Sequence, residues 1–87
     1  MKIKDGFMLR KVADSFIVVA VGDRVKEFNG IINLNETSAL LWRTLEKDVT
    51  ESQLVDALLS EYDVDREVAA KDVALFIEKL KEANLLL

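Results

Sequence analysis

The sequence predicts an α+β domain in which a three-stranded antiparallel sheet is followed by three α-helices. Strand-forming apolar runs occupy the first 34 positions, whereas apolar residues recur every three or four positions from residue 35 onward. This change of period places the strands before the helices. With 87 residues, of which 51% are hydrophobic and 32% charged, the chain has enough apolar material for one core, so we predict a single domain over residues 1–87.

Two strands are predicted near the start of the chain, at residues 7–12 and 15–21. Both runs are rich in β-branched and aromatic residues, and the Ala13-Asp14 dipeptide between them suggests a tight hairpin. The second run is apolar at nearly every position, which is typical of a strand buried on both faces. This pattern predicts that a second copy of the chain or an enzyme covers its outer face.

A third strand of four residues is predicted at Ile31–Leu34, after the Asn29-Gly30 dipeptide, which is the strongest short signal for a hairpin turn. Because strand side chains alternate, Ile32 and Leu34 share the face that we expect to join the core. So short a strand is expected at a sheet edge, where one row of backbone groups lacks a partner. The alternative is that residues 25–28 fold back through the turn and occupy that edge.

Two helices are predicted to follow the third strand. The first covers residues 36–46 with Asn35 as its N-cap, and Trp42 is expected in the core because it lies among apolar residues on this helix. The second begins with a capping box, in which Thr50 and Gln53 exchange hydrogen bonds with each other's backbone amides.

The third helix is predicted over residues 66–83. Asp65 precedes it as a candidate N-cap, and Asn84 follows it as a residue able to adopt the left-handed conformation that ends helices. An apolar stripe marks the face that packs on the core, and it comprises Ala69, Val73, Phe76, Ile77 and Leu80.

The composition removes most catalytic chemistry. The chain contains no cysteine and no histidine, which excludes disulfides, thiolate nucleophiles, Ser-His pairs and the usual zinc and haem ligand sets. Its 16 acidic residues are scattered, and the sequence places no pair of them in an apolar pocket. We therefore predict a protein that is not an enzyme and that has no catalytic residues, metal ligands or cofactors.

No targeting or membrane-spanning segment is visible in the sequence. The N-terminal stretch MKIKDGFML lacks the apolar core of a signal peptide, and the longest apolar run, residues 16–21, is too short to cross a bilayer. These features predict a cytoplasmic protein without a membrane partner.

The order of strands and helices is also that of a winged helix-turn-helix with its strands moved to the front, so DNA binding is an alternative. A protein that binds duplex DNA needs a basic face, because neutralisation of phosphates supplies most of the affinity. This chain has a net charge of −4, and the basic and acidic residues of the third predicted helix cancel. The charge balance argues against a nucleic-acid partner.

One long run of the sequence, residues 30–86, resembles the PqqD-like family. It contains an LN-x-T-x-x-x-x-W pattern, a Thr-led second helix, a Leu-x-x-x-Tyr element and a long third helix that ends near leucines. The residues that carry the resemblance are Leu34, Asn35, Thr37, Trp42, Thr50 and Tyr62. The resemblance implies a small recognition domain that holds the leader segment of a ribosomally made precursor peptide and presents it to a modifying enzyme, often a radical-SAM maturase.

The resemblance further implies that the leader adds as a strand beside the third strand and lies against the third helix. Strand backbone groups would then supply affinity, and side-chain pockets would supply selectivity. On a helical wheel, Val68 and Leu75 lie off the main apolar stripe, where they form a groove wall or, alternatively, the rim of the core. Lys71 and Lys79 either meet acidic leader residues or are ordinary surface lysines. The candidate peptide-binding residues are Ile31, Ile32, Asn33, Leu34, Val68, Lys71, Leu75 and Lys79.

Two further expectations concern the partner. Ile31 is expected to contact a partner more than Ile32, because Ile32 shares its face with Leu34 of the predicted core. A structural or oligomeric accessory subunit without peptide binding is the second interpretation of the chain, and a DNA-binding protein is the third. Genes for a short precursor peptide and a maturase beside this gene would favour peptide recognition.

Overall fold

The computed structural model describes residues 1–26 and 30–87 of the chain. In these residues, three strands form one antiparallel sheet and three α-helices follow it, which confirms the predicted α+β fold. Predicted and observed ends agree within one or two residues. The elements are β1 (Phe7–Val12), β2 (Ser15–Ala20), a short 3-10 helix (Gly22–Lys26), β3 (Ile31–Leu34), α1 (Glu36–Thr44), α2 (Glu51–Glu61) and α3 (Arg66–Glu82).

The sheet has the order β1-β2-β3, with β2 in the centre. Residues opposite one another share a face, so the row of Leu9, Val18 and Ile32 points into the core, where Val18 is fully buried. The neighbouring row runs from Met8 to Ile31 on the outer face, and both of these side chains are exposed. That a second copy or an enzyme covers this face remains a prediction.

The connections on either side of β2 differ in how well the sequence predicted them. The hairpin between β1 and β2 is present, and Ala13 takes a left-handed φ of 55° in its turn. After β2, Val25 and Lys26 belong to the 3-10 helix, so the alternative that they continue as a strand toward β3 is wrong. Phe28 and Asn29, which complete that alternative and its turn, lie outside the described residues.

Gly6 joins the N-terminal segment to β1 in a conformation that favours glycine. Its φ is +94°, and a Cβ built on it would overlap the side chain of Arg24. The Arg24 Nε donates a hydrogen bond to the Asp5 carbonyl oxygen at 2.8 Å, and the Val21 amide donates one to the Gly6 carbonyl oxygen at 2.8 Å. The close approach of Arg24 to Gly6 therefore anchors the 3-10 helix beside the start of β1.

Replacing Gly6 by alanine is expected to lower the free energy of unfolding by about 1–2 kcal/mol, because left-handed strain adds to displacement of Arg24. Urea unfolding followed by circular dichroism measures this change. Gly30→Ala is the matched control, since a Cβ there meets no atom of the described residues within 4 Å and the φ of Gly30 lies outside the left-handed region. Equal losses in the two variants would contradict the argument.

Side-chain caps begin two of the helices as predicted. The Asn35 Oδ1 accepts a hydrogen bond from the backbone amide three residues on at 2.8 Å. Thr50 and Gln53 form the reciprocal capping box, with distances of 2.8 and 3.1 Å. Asp65 occupies the N-cap position of α3, but within the described residues its carboxylate caps no backbone amide, so its predicted hydrogen bond is wrong. Asn84 has a φ of 59° just beyond α3, as predicted.

One hydrophobic core joins the sheet to the helices. Trp42 is 1% exposed, as predicted, and its ring meets the Phe7 ring edge-on with 6.2 Å between centroids. The two ends of the chain complete this core, because Ile3 forms an antiparallel bridge with Leu86 and Leu85 is buried beside them. Across the described residues, each helix falls short of the length and apolar content that a bilayer-spanning segment requires.

Candidate functional site

β3 forms one edge of the sheet. It pairs with β2 along one side, and no strand among the described residues pairs with its other side. Because the backbone groups of successive strand residues point in opposite directions, two of the four residues of β3 direct their N–H and C=O groups away from β2. This outer edge is therefore able to accept one more strand.

A groove runs beside this edge, between β3 and α3. Its larger part is a cavity of about 390 Å³, which lies within the usual range of ligand pockets, about 300–1,000 Å³. The lining residues are Ile32, Asn33, Leu34, Asn35, Ser38, Phe76, Lys79, Leu80, Ala83 and Leu85. Because most of these side chains are apolar, the cavity suits a large apolar side chain of a bound chain.

A second cavity, of about 210 Å³, continues the groove past the first turn of α1. It shares Asn35, Ser38, Phe76 and Lys79 with the larger cavity. The residues that it adds are Thr37, Leu41, Leu58, Asp72 and Leu75. The two cavities together form one trough, which we call the β3–α3 groove.

The first turn of α1 forms the polar rim in the middle of the groove. This placement follows from the sequence, because Leu34 ends β3, Asn35 is the N-cap and Glu36 begins α1. The Asn35 Oδ1 accepts hydrogen bonds from the Thr37 hydroxyl and from the Ser38 amide, both at 2.8 Å. These two bonds fix the rim against the edge of the sheet.

β3 and α3 run in opposite directions along the groove. Ile32 shares the larger cavity with Ala83, whereas Asn35, just beyond β3, borders the smaller cavity with Asp72. From Asp72 to Ala83, α3 rises about 16 Å. An extended chain advances about 3.3 Å per residue, so about five residues of a bound peptide span the groove.

Two charged side chains line the groove in the described part of the chain. Lys79 borders both cavities, and Asp72 borders only the smaller one. The two residues are seven positions apart on α3, which places them on the same side of the helix, two turns from each other. The groove therefore carries a negative group toward one end and a positive group near its middle.

Tyr62, the single tyrosine of the chain, reports the charge close to the smaller cavity. Its backbone amide donates a hydrogen bond to the carbonyl of Leu58, which lines that cavity, so Tyr62 lies one turn away. Burial raises the pKa of Tyr62, and the neighbouring carboxylates of Glu36 and Glu61 raise the pKa further. Negative charge therefore lies close to Tyr62, one turn from the lining residue Leu58.

We expect Glu36→Gln to lower the raised pKa of Tyr62, because Glu36 both repels the phenolate and accepts a hydrogen bond from the phenol. The pKa of Tyr62 is higher in the folded chain than in the unfolded chain. The contribution of the protonated phenol to folding stability is therefore complete below about pH 10 and is lost as pH rises through the folded pKa. Ultraviolet titration of the phenolate measures the pKa. Glu51→Gln, at the far end of α2, serves as the control, and equal pKa values in both variants would contradict this account.

The structure brings together five of the eight candidate residues, because Ile32, Asn33, Leu34, Leu75 and Lys79 line the groove. Ile31 belongs to the same edge strand, but its side chain lies on the outer face of the sheet and is 60% exposed. Val68 and Lys71 border neither cavity, and Val68 is 50% exposed. The role of all eight residues in binding stays a prediction.

Sequence reasoning did not assign the polar rim or Leu85 to the site. Asn35 was interpreted only as a helix cap, although a cap that directly follows an edge strand must lie at the end of that edge. The adjacency of the cap to the edge strand is the sequence signal that also places Thr37 and Ser38 at the site. Leu85 offered no comparable signal, because its position depends on the bridge between Ile3 and Leu86.

The sequence match decides the family of the chain. Residues 16–86 match the family model described as "Coenzyme PQQ synthesis protein D (PqqD)". The chain belongs to the PqqD family. The match runs from β2 to the C-terminal leucines of this PqqD-family protein and leaves out β1. No curated protein matches its sequence significantly.

Two solved structures share the fold of this PqqD-family protein. The structure "TbiB1 in Complex with the TbiA(beta) Leader Peptide" is 26% identical, with a TM-score of 0.76 over 99% of this chain and 94% of that chain. The structure "Lasso peptide synthetase B1 complexed with the leader peptide" is 22% identical, with a TM-score of 0.74 over 99% of this chain and 95% of that chain. The second likeness concerns the fold alone.

Proposed function

We propose that this PqqD-family protein holds the leader segment of a ribosomally synthesised precursor peptide in the β3–α3 groove and presents it to a modifying enzyme. The observation that carries the proposal is the outer edge of β3, which no strand in the described residues occupies and which borders a largely apolar trough. An extended peptide satisfies both features at once, through backbone pairing and through side chains in the cavities. The leader peptide in the TbiB1 structure supports this function.

The other sheet edge, β1, is less suited to strand addition. Arg10 and Lys11 lie on this strand, and both side chains are exposed. Charged side chains on an edge strand oppose pairing with another chain. The larger cavity of the groove also lies along the β3 edge, where strand addition places alternate side chains of the peptide in a trough.

The affinity expected for such a site is modest. Two outward-facing residues of β3 offer four backbone hydrogen bonds, each worth about 1 kcal/mol net. Two anchoring side chains add about 2 kcal/mol each. Ordering the free leader takes back about 2–5 kcal/mol of the resulting total of about 8 kcal/mol. Selectivity and affinity therefore depend on how well side chains fill the groove.

We propose a non-catalytic role, in which chemistry belongs to the partner enzyme. The absence of cysteine and histidine from the sequence supports this role. Among the described residues, no group of acidic side chains is arranged to hold a metal ion. The resemblance of the sequence to PqqD-like proteins favours a radical-SAM maturase as the partner.

Self-association is the second candidate, and the outer face of the sheet bears on it. Met8, Val12 and Ile31 are exposed on this face. Two strands of six residues and one of four present roughly 250 Å² on this face. A stable protein interface buries about 800 Å² on each partner. The area of this face therefore gives a homodimer little support on its own.

The proposed function is tested by titrating ¹⁵N-labelled protein with a leader peptide. A short reading frame next to a maturase gene should lie beside the gene for this chain, and its N-terminal segment is the titrant. Binding should shift the amide resonances of Ile31–Leu34 and of α3 from Asp72 to Ala83. The amides of β1 serve as the internal control and should move little.

Two outcomes would overturn the proposed function. Shifts confined to β1 would show that the peptide pairs with the β1 edge of the sheet and not with the β3 edge. Neighbouring genes without a precursor peptide, together with dimerisation detected by analytical ultracentrifugation, would favour the accessory subunit instead. Saturable shifts along β3 that leave the protein monomeric would support the leader-binding role.

A further inference from the structure

The order of charges along the β3–α3 groove carries an inference about the peptide itself. We propose that the groove selects a peptide with a basic residue at the Asp72 end, then an acidic residue beside Lys79, then a large apolar residue in the larger cavity. The inference rests on the proposed function, because it concerns the chain that adds to β3. It goes further by stating the chemistry of that chain and the order of its residues.

The first step fixes the direction of the peptide. Both strand pairs in the sheet are antiparallel, and antiparallel pairing is slightly more stable per residue than parallel pairing. A peptide that is antiparallel to β3 runs in the same direction as α3, because β3 and α3 run in opposite directions along the groove. The peptide therefore enters at Asp72 and leaves at Ala83.

The second step fixes which peptide residues face the groove. About five extended residues span it, and their side chains alternate between the groove and the outer face of the sheet. The first, third and fifth residues face the groove in this arrangement. The first lies near Asp72 and Leu75, the third near Lys79, and the fifth in the larger cavity near Leu80 and Leu85.

The third step assigns charge to these positions. Asp72 and Lys79 are the two charged residues lining the groove in the described part of the chain, and neither forms an ion pair there. They are about 10 Å apart along α3, and alternate residues of a strand are about 7 Å apart, a difference that a lysine side chain spans.

The fourth step assigns the apolar position. The apolar residues that line the larger cavity include Ile32, Leu34, Phe76, Leu80 and Leu85, and Leu85 is almost fully buried. A polar side chain placed there would lose water without gaining a full set of hydrogen bonds. A leucine or an aromatic residue at the fifth position of the peptide fills this space. The cavity thereby fixes the register in which the basic peptide residue meets Asp72 and the acidic one meets Lys79.

The test uses two acetylated and amidated probe peptides of the same composition. The centre of the first is Lys-Thr-Asp-Thr-Leu, and the centre of the second is Asp-Thr-Lys-Thr-Leu, each flanked by two serines on both sides. Both probes have the same net charge, so long-range attraction to the protein is equal. We expect the first probe to bind about tenfold more tightly in an NMR titration, because two ion pairs replace two repulsive contacts.

The matched protein variant exchanges the two charges, Asp72→Lys with Lys79→Asp, and leaves the net charge unchanged. The exchange should reverse the preference for the two probes, and added salt should weaken both preferences. Circular dichroism and the β1 amide resonances show whether the variant is folded. Asp72→Asn and Lys79→Gln, made singly, should each reduce the preference if the exchanged variant does not fold.

Each outcome of this experiment decides one claim. Equal binding of both probes at the β3 edge would overturn the charge order while leaving strand addition intact. Tighter binding of the second probe would overturn the charge order. Failure of both probes to shift any β3 resonance at millimolar concentration would overturn the charge order, whereas the proposed function is decided separately by the titration with the leader peptide. A preference for the first probe that the exchanged variant reverses would support the inference.

Discussion

A leader peptide that is N-methylated at the amides facing β3 should bind about a hundredfold more weakly than the unmodified peptide. Each methyl group removes one donor to the outer edge of β3, and its bulk keeps the peptide from the approximately 4.8 Å spacing of paired strands. Two lost hydrogen bonds and the enforced separation together cost about 3 kcal/mol. Isothermal titration calorimetry measures the loss.

The matched control is the same peptide methylated at the alternate amides. In an added strand, these amides point away from β3 toward solvent, so their methylation should change the affinity by no more than about threefold. Both peptides gain the same number of methyl groups, and the comparison therefore isolates the direction of the amides. Equal losses would show that the peptide binds through side chains alone and would contradict strand addition.

The strands and helices were predictable because their signals are local. The short apolar run after the Asn29-Gly30 dipeptide located β3, and the capping box at Thr50 and Gln53 located the start of α2 to the residue. Asp65 shows where a local signal falls short. A carboxylate at the right position identifies the start of α3, but a cap bond also needs a side-chain rotamer that the neighbouring turn sets, and the sequence does not reveal that rotamer.

The groove was less predictable, because it depends on contacts between distant parts of the chain. Leu75 and Lys79, which a helical wheel groups on one side of α3, line the groove. Val68 lies on that side too, seven positions before Leu75, yet it borders neither cavity. Asp72 is the first residue of α3 that lines the groove, and a helical wheel contains no information about where along the helix axis a groove ends.

Leu75→Asp should weaken leader binding about thirtyfold, whereas Val68→Asp should leave the affinity nearly unchanged. Leu75 is 52% exposed and lines the smaller cavity, so an aspartate there removes an apolar contact and adds a carboxylate beside Asp72. The two effects together cost about 2 kcal/mol of binding free energy. Val68 is 50% exposed on the same helix but borders neither cavity, which makes it a close control for folding stability.

Lys71→Ala tests whether leader affinity depends on contacts within the groove or on the overall charge of α3. Lys71 is exposed and borders neither cavity, so its removal should change leader affinity by less than about twofold. If Val68→Asp and Lys71→Ala weaken binding as much as Leu75→Asp does, the leader extends along the N-terminal half of α3 and the groove described here is only part of its site. If Leu75→Asp alone weakens binding, the site ends near Asp72, and the trough beside β3 determines which peptides this protein holds.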